Sequence, residues 1–514
     1  MASRIDRLLC DSDYAVSLIQ NCQTVASGGF VGAAHPEALT AAIERRFHAE
    51  ASPKNLTLVY GAGQGDGKSR GLNHLAHEGL VRRVIGGHWG LVPGLGKMAI
   101  AGKIEAYNFP QGVICQLLRD IAAGRPGCIT HVGLGTFIDP VNGGGRLNDL
   151  TTEELVSRVE LDGKTWLFYR AFPIDVGLIR ATAADPFGNL VMDEEAVIGE
   201  VLPIAQAVHN CGGKVIAQVR RILDHPAPPN QVKVPGILVD HIVVAEEAEH
   251  PQTFAESLNT SYFSSRPRGV APDELDSDNL SPGVRRIIAA RACDELLPGA
   301  IANLGIGMPE GVALIAAERQ MLDQITLTLE SGPIGGIPAG GLSFGASAWP
   351  EAIIDQPAQF DFYDGGGLDY AALGAAQVDR HGNVNVSKFH DRVAGVGGFV
   401  NISQNARRVV FCGALTSGGL DVEVSDGQLR IIREGSIRKF VDHVEQVSFS
   451  GAVAAESGRE ILYVTERAVF ELTANGLRLT EVAPGIDIQT QILNLIDFEP
   501  IINGVRPMAE SCFA

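Results

Sequence analysis

Residues Ile325–Gly345 read ITLTLESGPIGGIPAGGLSFG, and the rest of the chain is organised around them. Alternation with β-branched residues over Ile325–Leu329 predicts a short, half-buried strand. The run ends in Glu330, followed at once by Ser331 and Gly332. Glutamate is depleted in strands, and a surface glutamate has no need of glycine behind it. Taken alone, Glu-Ser-Gly is a solvated loop. Its surroundings in this chain argue otherwise.

The 514 residues exceed one core, so two or more domains are expected. A hydrophobic share of 45% fits a globular chain, and sixty glycines imply many tight turns. The net charge of −19 argues against nucleic acid or an anionic membrane as partner. It leaves room for an anionic small ligand, which backbone amides can bind. The eight cysteines (Cys10, Cys22, Cys115, Cys128, Cys211, Cys293, Cys412, Cys512) form no CxxC pair, which suits reduced thiols in a cytoplasmic setting. Met1–Ile19 lacks the apolar core of a secretory signal, and no apolar run reaches membrane-spanning length.

Strand and helix patterns alternate, which predicts α/β layers around largely parallel sheets. Asn55–Tyr60 and Lys214–Val219 read as strands, and Asp193–Val208 as a helix. Residues 259–282 lose apolar periodicity and read as a linker. They separate an N-terminal domain, 1–258, from a C-terminal one, 283–514. Ser281-Pro282 is expected to open a helix, with Ser as its cap. Beyond Leu420 the chain becomes β-rich, with hairpin turns at Asp426-Gly427 and Asn475-Gly476.

The two domains resemble each other. Leu56–Gly63 (LTLVYGAG) matches Ile325–Gly332, and Gly28-Gly29-Phe30 leading to His35-Pro36-Glu37 matches Gly305–Glu310. Asp175–Leu190 matches Asp369–Val384 without a gap, sharing five identities where about one is expected by chance. The offset falls from 269 to 194 residues between matches, so the first copy carries 75 extra residues there. Glu330 aligns with Gly61, and Gly332 with Gly63. A duplicated fold in which one copy adds a carboxylate points to one chemically asymmetric active site.

Other motifs compete. Ala62–Ser69 (AGQGDGKS) fits a relaxed phosphate loop, which would make the protein a nucleotide hydrolase, but the strict pattern needs glycine at Ala62. Gly341–Gly345 (GLSFG) fits a serine-nucleophile turn, yet glycines and Pro338 precede it where a strand is required, and its histidine would have to be His390 or His443. Asp66 stands where a dinucleotide fingerprint needs its third glycine. The thirteen histidines form no evident metal set, and His74 and His77 read as one face of a helix.

With the Gly-Gly-Phe loop, Glu330-Ser331-Gly332, the duplication and Gly395–Gly398 (GVGG), the chain resembles class I coenzyme A-transferases, in the acetate/3-ketoacid and propionate branch with both halves fused. Gly67–Gly79, Asn108–Gly112, Phe360–Asp369 and Phe399–Gly419 carry the likeness along nearly the whole length. Two departures are Ala34, where glycine is usual, and Ser331, where asparagine is common.

The resemblance implies two homologous open α/β domains and an enzyme moving CoA between a short-chain acyl-CoA and a free carboxylate. A glutamyl-CoA thioester on Glu330 would be the intermediate of a ping-pong cycle. An acyl-CoA hydrolase using the same glutamate is the alternative. The resemblance further implies an oxyanion hole at Gly397 and Gly398. Substrate contacts are expected from Gln111, Gly28, Gly29 and Phe30, and CoA contacts from Gly305, Gly307, Met308 and Asn383. It implies CoA as cosubstrate, no permanently bound cofactor or metal, acyl-CoA and small carboxylic acids as partners, and a homotetramer.

Overall fold

The computed structural model describes residues 4–267 and 280–513, so residues 268–279 of the expected linker lie outside the described residues. Two compact units divide the chain. Unit one takes Met1–Arg266, Leu329–Asp361 and His390–Asn401; unit two takes Pro267–Thr328, Phe362–Phe389 and Ile402–Ala514. The domains expected at 1–258 and 283–514 follow the repeat, whereas compactness assigns two later segments to unit one.

In unit one, β1 (Thr24–Ser27), β2 (Leu56–Tyr60), β3 (Val81–Gly86), β4 (Glu105–Asn108), β5 (Val176–Ala184), β6 (Lys214–Ile222) and β7 (His241–Val244) form a parallel sheet. Its order is β7-β6-β5-β1-β2-β3-β4. Every residue of β2 and β5 is buried, as expected of parallel strands covered on both faces. Helices α1 (Glu37–Glu50), α2 (Gln111–Ala122) and α3 (Val201–Asn210) accompany it, α2 burying Val113, Ile114, Leu117, Leu118 and Ile121 at helical spacing.

In unit two, α4 (Val284–Cys293) and α5 (Gly311–Glu318) accompany a sheet containing β8 (Ile301–Leu304), β9 (Thr326–Thr328), β10 (Tyr370–Gly374), β11 (Arg408–Cys412) and β12 (Glu460–Val464). These five are parallel in the order β9-β8-β10-β11-β12. The antiparallel strands β13 (Ala468–Thr473) and β14 (Gly476–Val482) continue it, with β15 (Ile501–Pro507) parallel at the edge. The β-rich end therefore completes the second sheet. Asp426-Gly427 turns a hairpin as expected, while the other turn falls one residue early, because Thr473 pairs with Gly476.

The repeat is visible bond by bond. Thr24 N–H donates to Asp175 Oδ2 at 2.7 Å, and Ile301 N–H to Asp369 Oδ2 at 3.0 Å. Gly28 N–H reaches Leu178 O at 3.0 Å, and Gly305 N–H reaches Ala372 O at 2.8 Å. In the shared Asp-x-x-Gly-Asn turn, Asn189 donates to Asp185 Oδ2 and Asn383 to Asp379 Oδ2, both at 2.9 Å. The amide oxygens of the same asparagines accept from Gly236 N–H at 2.8 Å and Gly451 N–H at 3.0 Å.

Two helix expectations are corrected. The helix expected from Asp193 begins at Val201, because Asp193, Glu194 and Glu195 turn to Arg221, Arg220 and Arg180 instead. The helix expected after Ser281 begins at Val284, since Gly283 takes φ +149°, outside helical geometry.

Removing the carboxylate that organises one of these turns tests the shared role. Asp379→Ala strands the amides of His381 and Asn383, and Asp185→Ala those of Phe187 and Asn189. Each is expected to cost about 1–3 kcal/mol in urea unfolding.

Candidate active site

Open α/β sheets bind ligands beyond the carboxyl ends of their strands. In unit one that rim carries Gly28-Gly29-Phe30 after β1, Gly61–Gly63 after β2, Gly87-His88 after β3 and Gln111 after β4. Two later segments of the same unit bring Glu330 and Gly395–Gly398.

A tight turn holds Glu330. Leu329 N–H donates to Pro333 O at 2.9 Å and Gly332 N–H to Leu329 O at 3.0 Å. Gly332 has φ +122°, and a Cβ there would run into Ile354 O. Ser331, the departure from asparagine, is fully buried and donates to Gly345 O at 2.6 Å. Gly345 in turn lies so close to the Phe30 ring that it has no room for a side chain. Phe30, Ser331 and Glu330 thus share one packed neighbourhood.

The carboxyl of Glu330 rests on Gly398. A Cβ added to Gly398 would fall 1.8 Å from Glu330 Oε2, so glycine is what lets the carboxyl take this position. The glutamate stays partly open to solvent at one side, yet the surrounding protein strips its hydration and pushes its pKa up to about 7, with burial the sole cause. Burial holds His88, which follows β3, down to about 4, a neutral imidazole. A side chain on Gly397 would sit 3.6 Å from both Gln111 Oε1 and His88 Cβ, which brings these groups around one backbone position.

The two glycines of the expected oxyanion hole differ in their backbone bonding. Gly397 N–H already donates to Gly87 O at 2.9 Å, and its carbonyl accepts from Gln111 N–H at 2.9 Å. Gly398 N–H has no backbone acceptor among the described residues. Gln111 opens α2 and is buried, and its Nε2 has no acceptor among the described residues. Gly28 N–H is committed to β5, while Phe30 and Ala33 exchange backbone bonds at 2.9 and 2.8 Å. Ala34, where the family pattern has glycine, holds φ +53°, a left-handed geometry that glycine adopts at lower cost.

The candidate CoA residues lie in unit two. Gly307 has φ +83° and Met308 starts the short turn that leads into α5. Asn383 Nδ2 is committed to Asp379 and its Oδ1 to Gly451 N–H, a structural task it shares with Asn189. A cleft of about 680 Å³ also lies in unit two, but its Arg291, Arg478 and Arg506 already pair with Glu481 or Glu471.

The competing motifs find other roles. Asp66 Oδ1 accepts from the amides of Lys68, Ser69 and Arg70 at 2.8–3.0 Å, so the amides a phosphate would need are spent. Ser343 sits in a 3-10 turn and donates to Glu256 at 2.7 Å. His74 and His77 belong to no regular α-helix; each bonds Glu44, at 2.5 and 2.6 Å. Sequence reasoning missed His88 and Glu200, both isolated at strand or helix ends.

Gly398→Ala tests the seat. The added methyl must displace the carboxylate, and turnover is expected to fall about 100-fold or more while circular dichroism and the thermal midpoint stay near the parent's.

A family model described as Coenzyme A transferase matches residues 11–245. An acetate CoA-transferase, YdiF, of Escherichia coli strain K12 is 42% identical over 94% of this chain and 90% of its own. A caffeate CoA-transferase of Acetobacterium woodii is 44% identical over 95% of this chain and 94% of its own. Among solved structures, the acyl-CoA transferase YdiF of E. coli O157:H7, as a thioester complex with CoA, matches with TM-score 0.92 at 40% identity, covering 98% of this chain and 96% of that one. Likeness of this degree, sustained from end to end of a fused chain, makes the protein a member of the coenzyme A transferase family.

Proposed function

We propose that this transferase moves CoA between a short-chain acyl-CoA and a free carboxylate, through a glutamyl-CoA thioester on Glu330. The carrying observation is the Glu330 carboxyl itself, desolvated, without a counter-charge and seated on a glycine.

A Glu330 oxygen attacks the thioester carbonyl carbon, the C–S bond breaks, and CoA leaves as thiolate. The resulting mixed anhydride is attacked at the glutamyl carbonyl by that thiolate, which forms the glutamyl-CoA thioester and releases the acyl group as its carboxylate. An incoming acid reverses both steps. Thioester energy is conserved throughout, and the scheme calls on no metal. Gly398 N–H is the donor for the oxyanion that develops at each tetrahedral stage. Gln111 Nε2, a buried N–H with no acceptor, is suited to hold the acid's carboxylate. Phe30 and the Gly28-Gly29 backbone are the acyl contacts we assign in unit one, and Gly305, Gly307 and Met308 the CoA contacts we assign in unit two.

The acids named for the relatives, acetate and caffeate, differ widely in size, and acetate, propionate, butyrate and 3-ketoacids are the acceptors we assign here. A homotetramer working in the cytoplasm completes the reading, and light scattering on the purified protein reads the assembly. Among the described residues, no helix is long and apolar enough to cross a membrane.

Glu330→Gln is expected to lower turnover about a thousandfold or more without unfolding the protein, and unchanged activity would dismiss the scheme. CoA release that is equally fast with and without added acetate would favour the hydrolase. The nucleophile must be ionised, so the acyl-CoA half-reaction slows as pH falls through about 7. Stability runs the other way. The folded-state pKa lies above the unfolded value of 4.5, so the fold loses stability as pH rises from there through about 7. Glu330→Gln should therefore melt higher than the parent at pH 8, with the gap closing toward pH 4.5.

A further inference from the structure

The Glu330 chemistry leaves a second carboxyl of unit one without a task. Glu200 stands at the N-cap of α3, is wholly buried, and neither of its carboxyl oxygens makes a well-formed hydrogen bond among the described residues. The amides of Gly29 and of Glu200 itself favour the carboxylate weakly, but burial outweighs them and holds the group up at about 8.

Its position is informative. Strands β1 and β5 are neighbours, and the chain runs from them toward opposite edges of the sheet. The crevice at such a switch point is where open α/β sheets place ligands. Gly61, the repeat counterpart of Glu330, borders the carboxyl. A Cβ on Gly61 would lie 3.6 Å from Glu200 Oε1, 3.3 Å from Gln356 Nε2 and 3.7 Å from Cys115 Sγ. Where one copy carries the nucleophile, the other has bare backbone, with a carboxyl from a different element beside it.

Gln356 has the complementary deficit. Its Nε2 donates to Cys115 Sγ at 3.0 Å and its backbone N–H to Gly199 O at 3.0 Å, but its Oε1 is buried without a donor. A neutral Glu200 brings an O–H to the same hollow. The hollow reaches the nucleophile through a chain of backbone contacts. Gly61 O presses on Gly87 so closely that no Cβ fits there. Gly87 O accepts from Gly397 N–H at 2.9 Å, and the next residue, Gly398, seats Glu330.

We propose that Glu200 is a positioning residue of the transferase site: its neutral carboxyl, engaged with Gln356 behind Gly61, holds the Gly61–Gly87–Gly397 stack that seats Glu330. This rests on the glutamyl-CoA reading above. Among the described residues, the groups recorded around Gly61 and Glu200 are the Gly29 backbone, Gln356 and Cys115 of α2, and of these Cys115 is titratable. No cation acts on Glu200 among the described residues. Ionisation therefore puts an uncompensated charge behind the stack, and transfer declines as pH rises through about 8.

The test is the pH profile of kcat/KM for acyl-CoA-to-acetate transfer between about pH 6 and 10, for the full chain, Glu200→Gln and Glu200→Ala, with Glu330→Gln alongside. The parent is expected to lose roughly tenfold per pH unit beyond the midpoint. Glutamine keeps the size and an N–H donor but does not titrate, so Glu200→Gln should lack this alkaline limb. Glu200→Ala, checked by circular dichroism, should fall about tenfold at pH 7. If alanine prevents folding, the glutamine profile decides. An alkaline limb that persists unchanged in Glu200→Gln overturns the proposal, as does a folded Glu200→Ala with parental rates. Should Glu330→Gln itself stay active, the underlying reading fails instead.

Discussion

The Glu330 carboxyl lies against the bare Cα of Gly398 with no cation beside it, and much of unit one is arranged to permit that contact. A buried carboxylate without a partner is expensive, and proteins normally avoid it or neutralise it. Here the cost appears as a carboxyl poised near neutral pH, ionised often enough to attack and basic enough to be a competent nucleophile. The contact leaves Gly398 no room for a side chain, and the turn that delivers Glu330 imposes the same restriction on Gly332. Gly398 makes way for the carboxyl, while Gly332 combines a crowded Cα with a φ of +122° that L side chains rarely adopt.

The duplicated scaffold explains how one such group can be introduced without disturbing the fold. In each copy the first strand of the parallel core is tied to the strand beside it by an aspartate, and an Asp-x-x-Gly-Asn turn is braced by its own asparagine. None of these bonds uses Gly61 or Glu330. The rim can then differ between copies, with glycine at 61 and glutamate at 330, while the scaffold stays the same. Asymmetry in chemistry rests on symmetry in hydrogen bonding.

Much of this was legible in the residues. Glutamate at a strand end followed by glycine is an unusual local choice, and the gapless Asp-to-Asn match exposed the duplication. Other features were not legible, for identifiable reasons. Periodicity over Asp193–Val208 suggested a longer helix, but three arginines distant in sequence claim its first acidic residues. Gly397 and Gly398 look equivalent in a glycine run, yet one amide is bound to Gly87 O and the other is not, which depends on tertiary register. His88 and Glu200 belong to no motif. Their environment comes from strand and helix ends that meet in space, and a single residue's burial leaves no periodic trace.

The central claim is covalent, and peptide-mapping mass spectrometry of the protein exposed to an acyl-CoA without acceptor tests it most directly. The account expects CoA attached to the peptide that contains Glu330, and its loss when acetate is added. A protein that turns over normally yet carries no such adduct, or carries it on another residue, would contradict it.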